Sequence, residues 1–117
     1  MLYKNKGVLQ VVSLPPRIRR TIEKYLEELK KNNIPIDEVI LFGSYARGDY
    51  HEYSDIDLLL VSPIFEGKRI EDKDKIREIT LKISSAIEIL PCSREQFEKK
   101  DPLIKEIVKT GVKISAN

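Results

Sequence analysis

The sequence predicts a mixed α/β domain (α+β) formed by residues 1–117 as one unit. Apolar residues recur at helical spacing in several stretches, which indicates amphipathic helices. Between these stretches lie short apolar runs that are typical of buried strands. The predicted order is helix, strand, strand, helix, strand, helix. The chain has 117 residues, of which 41% are hydrophobic, so it suits a single domain with one core.

The first helix is predicted to begin at Pro16 and to end at Asn32-Asn33, just before Pro35. Its apolar residues follow the i, i+4, i+7, i+8 and i+11 spacing of one buried face: Ile18, Ile22, Tyr25, Leu26 and Leu29. Upstream, residues 8–12 (VLQVV) are also apolar. The sequence leaves open whether they form a short strand or an extended arm.

Two buried strands are predicted next, with a short turn of helix between them. Residues 38–42 (EVILF) form the first strand, and residues 44–48 (SYARG) form about one helical turn with a glycine C-cap. A polar loop follows over residues 49–54. The second strand is predicted over residues 55–61 (DIDLLLV).

The second half of the chain predicts more helix and one further strand. Ile76, Ile79 and Ile83 mark a second long helix, and residues 86–90 (AIEIL) form a third strand stopped by Pro91. The C-terminal helices are predicted within residues 93–110.

Two capping signals divide these C-terminal helices. Ser93 followed by Gln96 resembles a capping box, and Asp101-Pro102 is an N-cap with proline at the first helical position. The last helix is predicted to bury Leu103, Ile104, Ile107 and Val108. Residues 112–114 (VKI) fit a short final strand.

Composition and charge exclude several classes of protein. The formal net charge is only +2, which argues against a dedicated nucleic-acid binder. Cys92 is the single cysteine, so no internal disulfide is possible and a reducing compartment fits. The N-terminus lacks the apolar segment of a signal peptide, and the apolar stretch 56–61 is far too short to span a bilayer. We therefore expect a cytoplasmic protein that does not enter a membrane.

Two carboxylates open the otherwise apolar strand 55–61. Side chains two apart on a strand point to the same face, so Asp55 and Asp57 are predicted to stand side by side. Carboxylates this close repel one another, and a divalent cation removes the conflict. Oxygen ligands favour Mg²⁺ or Mn²⁺, and two such ions can hold the attacking and leaving oxygens of a phosphoryl-type transfer.

The Gly43-Ser44 pair before the short helix predicts a seat for phosphates. Gly43 lets the chain turn sharply and lets a phosphate approach the backbone. Ser44 lies where the helix begins and adds a hydroxyl donor, and Arg47 can bring a guanidinium to the same phosphates. Glu88, inside the apolar strand 86–90, is either an edge residue facing water or the third carboxylate of the metal site.

These motifs together resemble the DNA polymerase β-type nucleotidyltransferase superfamily, and most closely its minimal nucleotidyltransferases. The resemblance covers residues 37–90 and rests on an acidic residue in the next strand and on two motifs: Gly43-Ser44-Tyr45-Ala46-Arg47-Gly48 and Ser54-Asp55-Ile56-Asp57-Leu58. It implies a short mixed sheet flanked by helices, and transfer of a nucleoside monophosphate from an NTP, most readily ATP, to a hydroxyl. Two Mg²⁺ ions, or Mn²⁺, are the implied cofactors.

The resemblance also implies roles for individual residues. Asp55 and Asp57 would hold both metals, Glu88 would help to hold the catalytic one, and Gly43 and Ser44 would bind the triphosphate. One departure is plain: minimal members usually carry Asp at the third position, where this chain has Glu88.

The resemblance suggests a biological setting as well. Minimal members commonly act as antitoxins beside a helical HEPN toxin, and some transfer AMP to a tyrosine of that partner. Two other functions stay open on the sequence alone. One is a non-catalytic module that neutralises its partner by contact; the other is an RNA- or DNA-directed transferase, which the near-neutral charge and the lack of a second domain disfavour.

Overall fold

A six-stranded sheet with helices on both faces forms the domain in the computed structural model, which describes residues 3–5, 8–10, 14–99 and 101–114. The strands are β1 (Tyr3–Asn5), β2 (Val8–Gln10), β3 (Glu38–Phe42), β4 (Ile56–Val61), β5 (Ile87–Cys92) and β6 (Val112–Ile114). The helices are α1 (Pro16–Lys31), α2 (Ser44–Arg47), α3 (Arg69–Lys75), α4 (Arg77–Ile83), α5 (Arg94–Lys99) and α6 (Pro102–Thr110). The predicted α/β fold is confirmed.

The strands follow the order β2-β1-β6-β3-β4-β5 across the sheet. Neighbours are antiparallel except β4 and β5, which are parallel and are connected through α3 and α4. A parallel pair needs such a crossover, whereas antiparallel neighbours do not. The sheet is therefore mixed, as the family resemblance implied.

Each face of the sheet buries its own core. On the first face, alternate residues of β3, β4 and β5 join α1 in the larger cluster, which includes Leu41, Ile56, Leu58, Ile22 and Leu29. On the second face, Ile40, Leu59, Val61 and Cys92 pack with Ile104 and Ile107 of α6. Strand side chains alternate between faces, so the one sequence DIDLLLV supplies both cores.

Helix α1 forms as predicted, with Pro16 at its start and its apolar stripe buried. Within that stripe, the Tyr25 hydroxyl is hydrogen-bonded to the Thr80 hydroxyl at 2.8 Å, which connects α1 to α4. Burial raises the pKa of Tyr25 to about 12, while the Thr80 hydrogen bond lowers it. The tyrosine is thus a neutral polar link within the core.

Both predicted N-caps of the C-terminal helices are present. Gln96 N–H donates to the Ser93 hydroxyl at 3.1 Å, and Ser93 N–H donates to the Gln96 side-chain oxygen at 2.9 Å, which is a reciprocal capping box. Ile104 N–H donates to the Asp101 carboxylate at 2.9 Å. These caps satisfy backbone donors that the helices leave free.

The predicted second long helix is wrong, because the segment is two short helices that meet at Ile76. Ile76 leaves helical geometry (φ −122°, ψ 11°) and is buried in the first core. The cause is that the two helices are held by different partners. Helix α4 packs on α1, whereas Asp72, the single buried residue of α3, anchors a loop.

That anchor is a set of hydrogen bonds to the carboxylate of Asp72, a residue that is only 1% exposed. It accepts backbone N–H groups from Glu66, Gly67 and Lys68 at 2.9–3.0 Å, and Lys75 Nζ lies 3.2 Å away. Burial raises the pKa of Asp72, but the hydrogen bonds and Lys75 outweigh it, so the pKa is lowered. A charged, fully bonded Asp72 therefore holds the start of α3 in place.

Pro91 does not stop the third strand, which continues through it to Cys92. Proline lacks an N–H donor and is tolerated in an edge strand, and β5 is the edge of this sheet. The predicted stripe of α6 is also wrong at one position, since Leu103 is 49% exposed.

Segments near both ends of the chain form strands of the sheet. Residues 8–10 form strand β2, whereas residues 11 and 12 of the predicted apolar segment lie outside the described residues. The final strand fitted to residues 112–114 is confirmed as β6. It lies between β1 and β3, in the interior of the sheet.

Candidate nucleotide and metal site

The candidate site lies where β4 and β5 present acidic residues on the second face of the sheet, beside the end of β3. Asp57 of β4 is opposite Phe42 of β3 and opposite Glu88 of β5 in the strand register. Asp57 is half-buried and Glu88 is exposed, whereas Leu59 and Val61 further along β4 are covered by α6. The sheet thus brings together two acidic residues that are far apart in sequence.

Asp55 lies just outside the strand that was predicted to contain it. Strand β4 begins at Ile56, whose N–H donates to the Ala86 carbonyl at 2.8 Å, and Asp55 is exposed before it. Asp55 still acts on Asp57 electrostatically, since its charge helps to raise the pKa of the Asp57 carboxyl. The Asp-x-Asp pair is therefore close, with one member on the strand and the other at its entrance.

The backbone of Gly43 lies directly against the Asp57 carboxylate. Its φ is +75°, which L side chains rarely adopt, and a Cβ at this position would collide with the Asp57 carboxylate. The glycine is required for both the turn and the close approach of the carboxylate. The sequence had predicted the turn and an approach by phosphate, but not this contact with Asp57.

Ser44 and Arg47 occupy the two ends of α2. The helix forms as predicted and ends at Gly48, a left-handed C-cap (φ 89°) whose N–H donates to the Ser44 carbonyl. Ser44 is half-buried at the start of this helix. Arg47 is exposed, pairs with Asp49 at 3.2 Å, and lowers the pKa of Asp57 by its charge. The phosphate-binding candidates therefore lie on the β3 side of Asp57.

The Asp57 carboxyl has a raised pKa, because it is half-buried and lies near other negative charges. Its pKa is raised first by burial, then by the charges of Asp55 and Glu88, while Arg47 opposes the shift. Like charges gathered around a half-buried carboxylate are stabilised by a cation. All the donors are carboxylate oxygens, a set that fits Mg²⁺ or Mn²⁺ rather than zinc.

Glu88 is exposed on the edge strand β5 and lies opposite Asp57 in the strand register, while its role as the third metal ligand stays a prediction. Its carboxylate pairs with the ammonium of Lys73 on α3 at 2.5 Å. Among the described residues, no three His, Cys, Asp or Glu side chains are grouped closely enough to hold a metal ion. The structure thus brings Asp57 and Glu88 to neighbouring strands, with Glu88 bonded to a lysine.

No sequence pattern indicated Lys73, which lies fifteen residues before Glu88 and on another element. The stacking partner of Tyr50, in the polar loop 49–54, was also not predicted. Tyr50 stacks on the buried ring of Tyr45, with ring centroids 4.6 Å apart. One face of Tyr50 is therefore taken by the protein. Tyr53 is 84% exposed at the loop tip.

Comparison with known proteins shows which family the chain resembles in sequence. A family model described as a nucleotidyltransferase domain matches residues 22–114. Two proteins of Methanocaldococcus jannaschii, both provisionally named protein adenylyltransferases, are similar to the chain. One is 32% identical over 108 residues, covering 91% of this chain and 100% of the relative. The other is 40% identical over 82 residues, covering 69% and 79%.

Two solved structures share the fold. A crystal structure provisionally described as a nucleotidyltransferase from Sulfolobus solfataricus aligns with a TM-score of 0.57 and 26% identity, covering 71% of this chain and 73% of that one. A crystal structure of a toxin–antitoxin with AMP-PNP aligns with a TM-score of 0.53 and 22% identity, covering 77% and 68%. In the described ranges, no helix is long and apolar enough to cross a membrane.

The contact between Gly43 and Asp57 predicts unequal effects of alanine at two glycines. Gly43→Ala and Gly48→Ala both place a side chain at positive φ, at a cost of about 1–3 kcal/mol each. A Cβ at Gly48 meets nothing, whereas at Gly43 it displaces the Asp57 carboxylate, and overpacking costs about 1–3 kcal/mol more. Urea denaturation measures both. Equal losses would show that the close approach is unimportant.

The raised pKa of Asp57 predicts that its neutral replacement stabilises the fold. A carboxyl with a raised folded pKa favours folding below its ordinary pKa, and this contribution is lost as pH rises through the folded value. Asp57→Asn cannot ionise, so we expect a higher unfolding free energy than wild type at neutral pH, and a difference that closes in acid. Thermal unfolding across pH measures it, with exposed Asp74→Asn as control. A destabilised variant at neutral pH contradicts the electrostatic account.

Proposed function

This chain belongs to the nucleotidyltransferase domain family, and from that premise we propose that it transfers AMP from ATP to a tyrosine hydroxyl of a HEPN partner protein. In this proposal it acts as the antitoxin of a toxin–antitoxin pair in the cytoplasm. The main support is the placement of Asp57 in contact with Gly43 and beside Glu88. The turn proposed to bind phosphate is therefore adjacent to the carboxylates proposed to bind metal.

The residues of the chain divide the work of the proposed reaction. Gly43 leaves the backbone open to a phosphate, the Ser44 hydroxyl donates to it, and Arg47 supplies a positive charge within electrostatic reach of Asp57. Asp55, Asp57 and Glu88 would hold Mg²⁺, or Mn²⁺, at up to two positions. When bound, these ions neutralise the negative charge that develops on the phosphoryl oxygens.

The proposed transfer is a single in-line displacement. The acceptor oxygen forms a bond to the α-phosphorus, the bond to the bridging oxygen breaks, and pyrophosphate leaves while the hydroxyl loses its proton to water. The attacking and leaving oxygens stand on opposite sides of the phosphorus. Since Ser44 and Arg47 lie on the β3 side of Asp57, the acceptor is expected to approach from the β5 side, where Glu88 is exposed.

Protein is the acceptor class that the relatives favour. The two M. jannaschii relatives are named protein adenylyltransferases, and one of them is covered over its full length by this chain. The toxin–antitoxin structure with AMP-PNP shares the fold and accommodates a nucleotide in its own assembly. A net charge of +2 gives the chain little attraction for nucleic acid.

One observation favours the alternative of neutralisation by contact alone. Glu88 is bonded to Lys73, and no three acidic side chains of the described residues form a ready metal site. A binding module would need neither metal nor ATP. Its neutralising effect on the partner would then survive loss of Asp57.

We expect the chain to transfer the label from α-³²P-ATP to its HEPN partner in the presence of Mg²⁺. Asp57→Ala should reduce labelling by about a hundredfold or more, because losing a metal ligand removes several kcal/mol of transition-state stabilisation. The matched control is Asp74→Ala, an exposed aspartate paired with Arg77. Equal labelling by Asp57→Ala would refute catalysis at this site. Full neutralisation of the toxin by that variant would favour contact alone.

A further inference from the structure

The structure contains a charged group at the site that neither the motifs nor the comparisons assign, the ammonium of Lys73. The Lys73 ammonium lies 2.5 Å from Oε1 of Glu88. Glu88 is on β5, opposite Asp57 of the neighbouring strand β4. Helix α3 contacts β5 along this edge of the sheet. The third carboxylate of the proposed metal site therefore already has a cationic partner within the protein.

The position of Lys73 follows from the anchor beside it in sequence. Asp72 is buried and accepts three backbone N–H groups of the loop 66–68, and Lys75 Nζ lies 3.2 Å from Oδ1, the oxygen that also accepts Glu66 N–H. These bonds fix the helix at the residue preceding Lys73. The lysine side chain extends from a fixed backbone towards β5, so its pairing with Glu88 requires little ordering of the helix itself.

We propose that Lys73 is a positioning residue of the site, whose ammonium competes with a divalent cation for the Glu88 carboxylate. The inference rests on the proposed function, because it assumes that Asp55, Asp57 and Glu88 bind a metal. A carboxylate oxygen held by an ammonium is a poorer metal ligand, and two cations at one carboxylate repel each other. Metal binding that uses Glu88 must therefore displace Lys73.

The competition is expected to be modest. The side chains of Lys73 and Glu88 are 39% and 54% exposed, and exposed ion pairs of this kind are weak. A weak pair suits a competitor, since a metal can displace it. Lys73 would then lower the affinity for a single metal ion, without preventing assembly of the loaded site.

The direct test is a Mn²⁺ titration of the free protein at neutral pH, followed by electron paramagnetic resonance. Lys73→Met removes the charge and keeps the length of the side chain. We expect it to tighten Mn²⁺ binding by about two- to fivefold, whereas Lys73→Arg, which retains the charge, stays close to wild type. Lys82→Met is the control, because Lys82 pairs with Glu28 away from the site.

A second pair of variants tests the coupling to Glu88. In a Glu88→Gln background, Lys73→Met should no longer change the Mn²⁺ affinity, because the shared carboxylate is gone. An unchanged or weaker affinity in Lys73→Met overturns the proposal. So does an effect that persists with Glu88→Gln, or an equal effect of Lys82→Met.

The same titration separates this proposal from the proposed function. If Asp57→Asn weakens Mn²⁺ binding but Lys73→Met has no effect, the metal site stands and only the role of Lys73 fails. If Asp57→Asn leaves Mn²⁺ binding unchanged, the carboxylates are not the metal site and both proposals fail.

Discussion

The repulsion around Asp57 is the constraint on which the rest of the site depends. This carboxylate is half-buried against Gly43, and burial and the charges of Asp55 and Glu88 all raise its pKa. Such an arrangement opposes folding and is tolerated only because the two cores stabilise the sheet elsewhere. Strained groups of this kind are typical of functional sites. Each charged residue around Asp57 either adds to this repulsion or reduces it.

The sheet topology brings the carboxylates of the site close together and keeps them outside the two hydrophobic cores. Strand β4 is central to this arrangement. It pairs with antiparallel β3, which leads into the Gly43-Ser44 turn, and with parallel β5, which carries Glu88. Two cations lie near these carboxylates: Arg47 on α2, whose charge lowers the pKa of Asp57, and Lys73 on α3, which pairs with Glu88.

The sequence predicted the parts of the site that depend on local chemistry. Gly43 at a sharp turn, the acidic pair at a strand entrance and the caps at Ser93 and Asp101 are short-range patterns with few physical alternatives. It failed where distant contacts decide. The break at Ile76 depends on the Asp72 anchor, and the passage of β5 through Pro91 depends on its edge position. The ion pair between Lys73 and Glu88 has no sequence signature, because it joins a helix to a strand whose relative placement follows from the fold.

A crystal structure of the chain with Mn²⁺ and a non-hydrolysable ATP analogue tests the central claim most directly. We expect anomalous density for manganese between Asp55, Asp57 and Glu88, with the triphosphate against Gly43 and Ser44 and with Lys73 moved away from Glu88. Nucleotide or manganese bound elsewhere, with these three carboxylates uncoordinated, would contradict it.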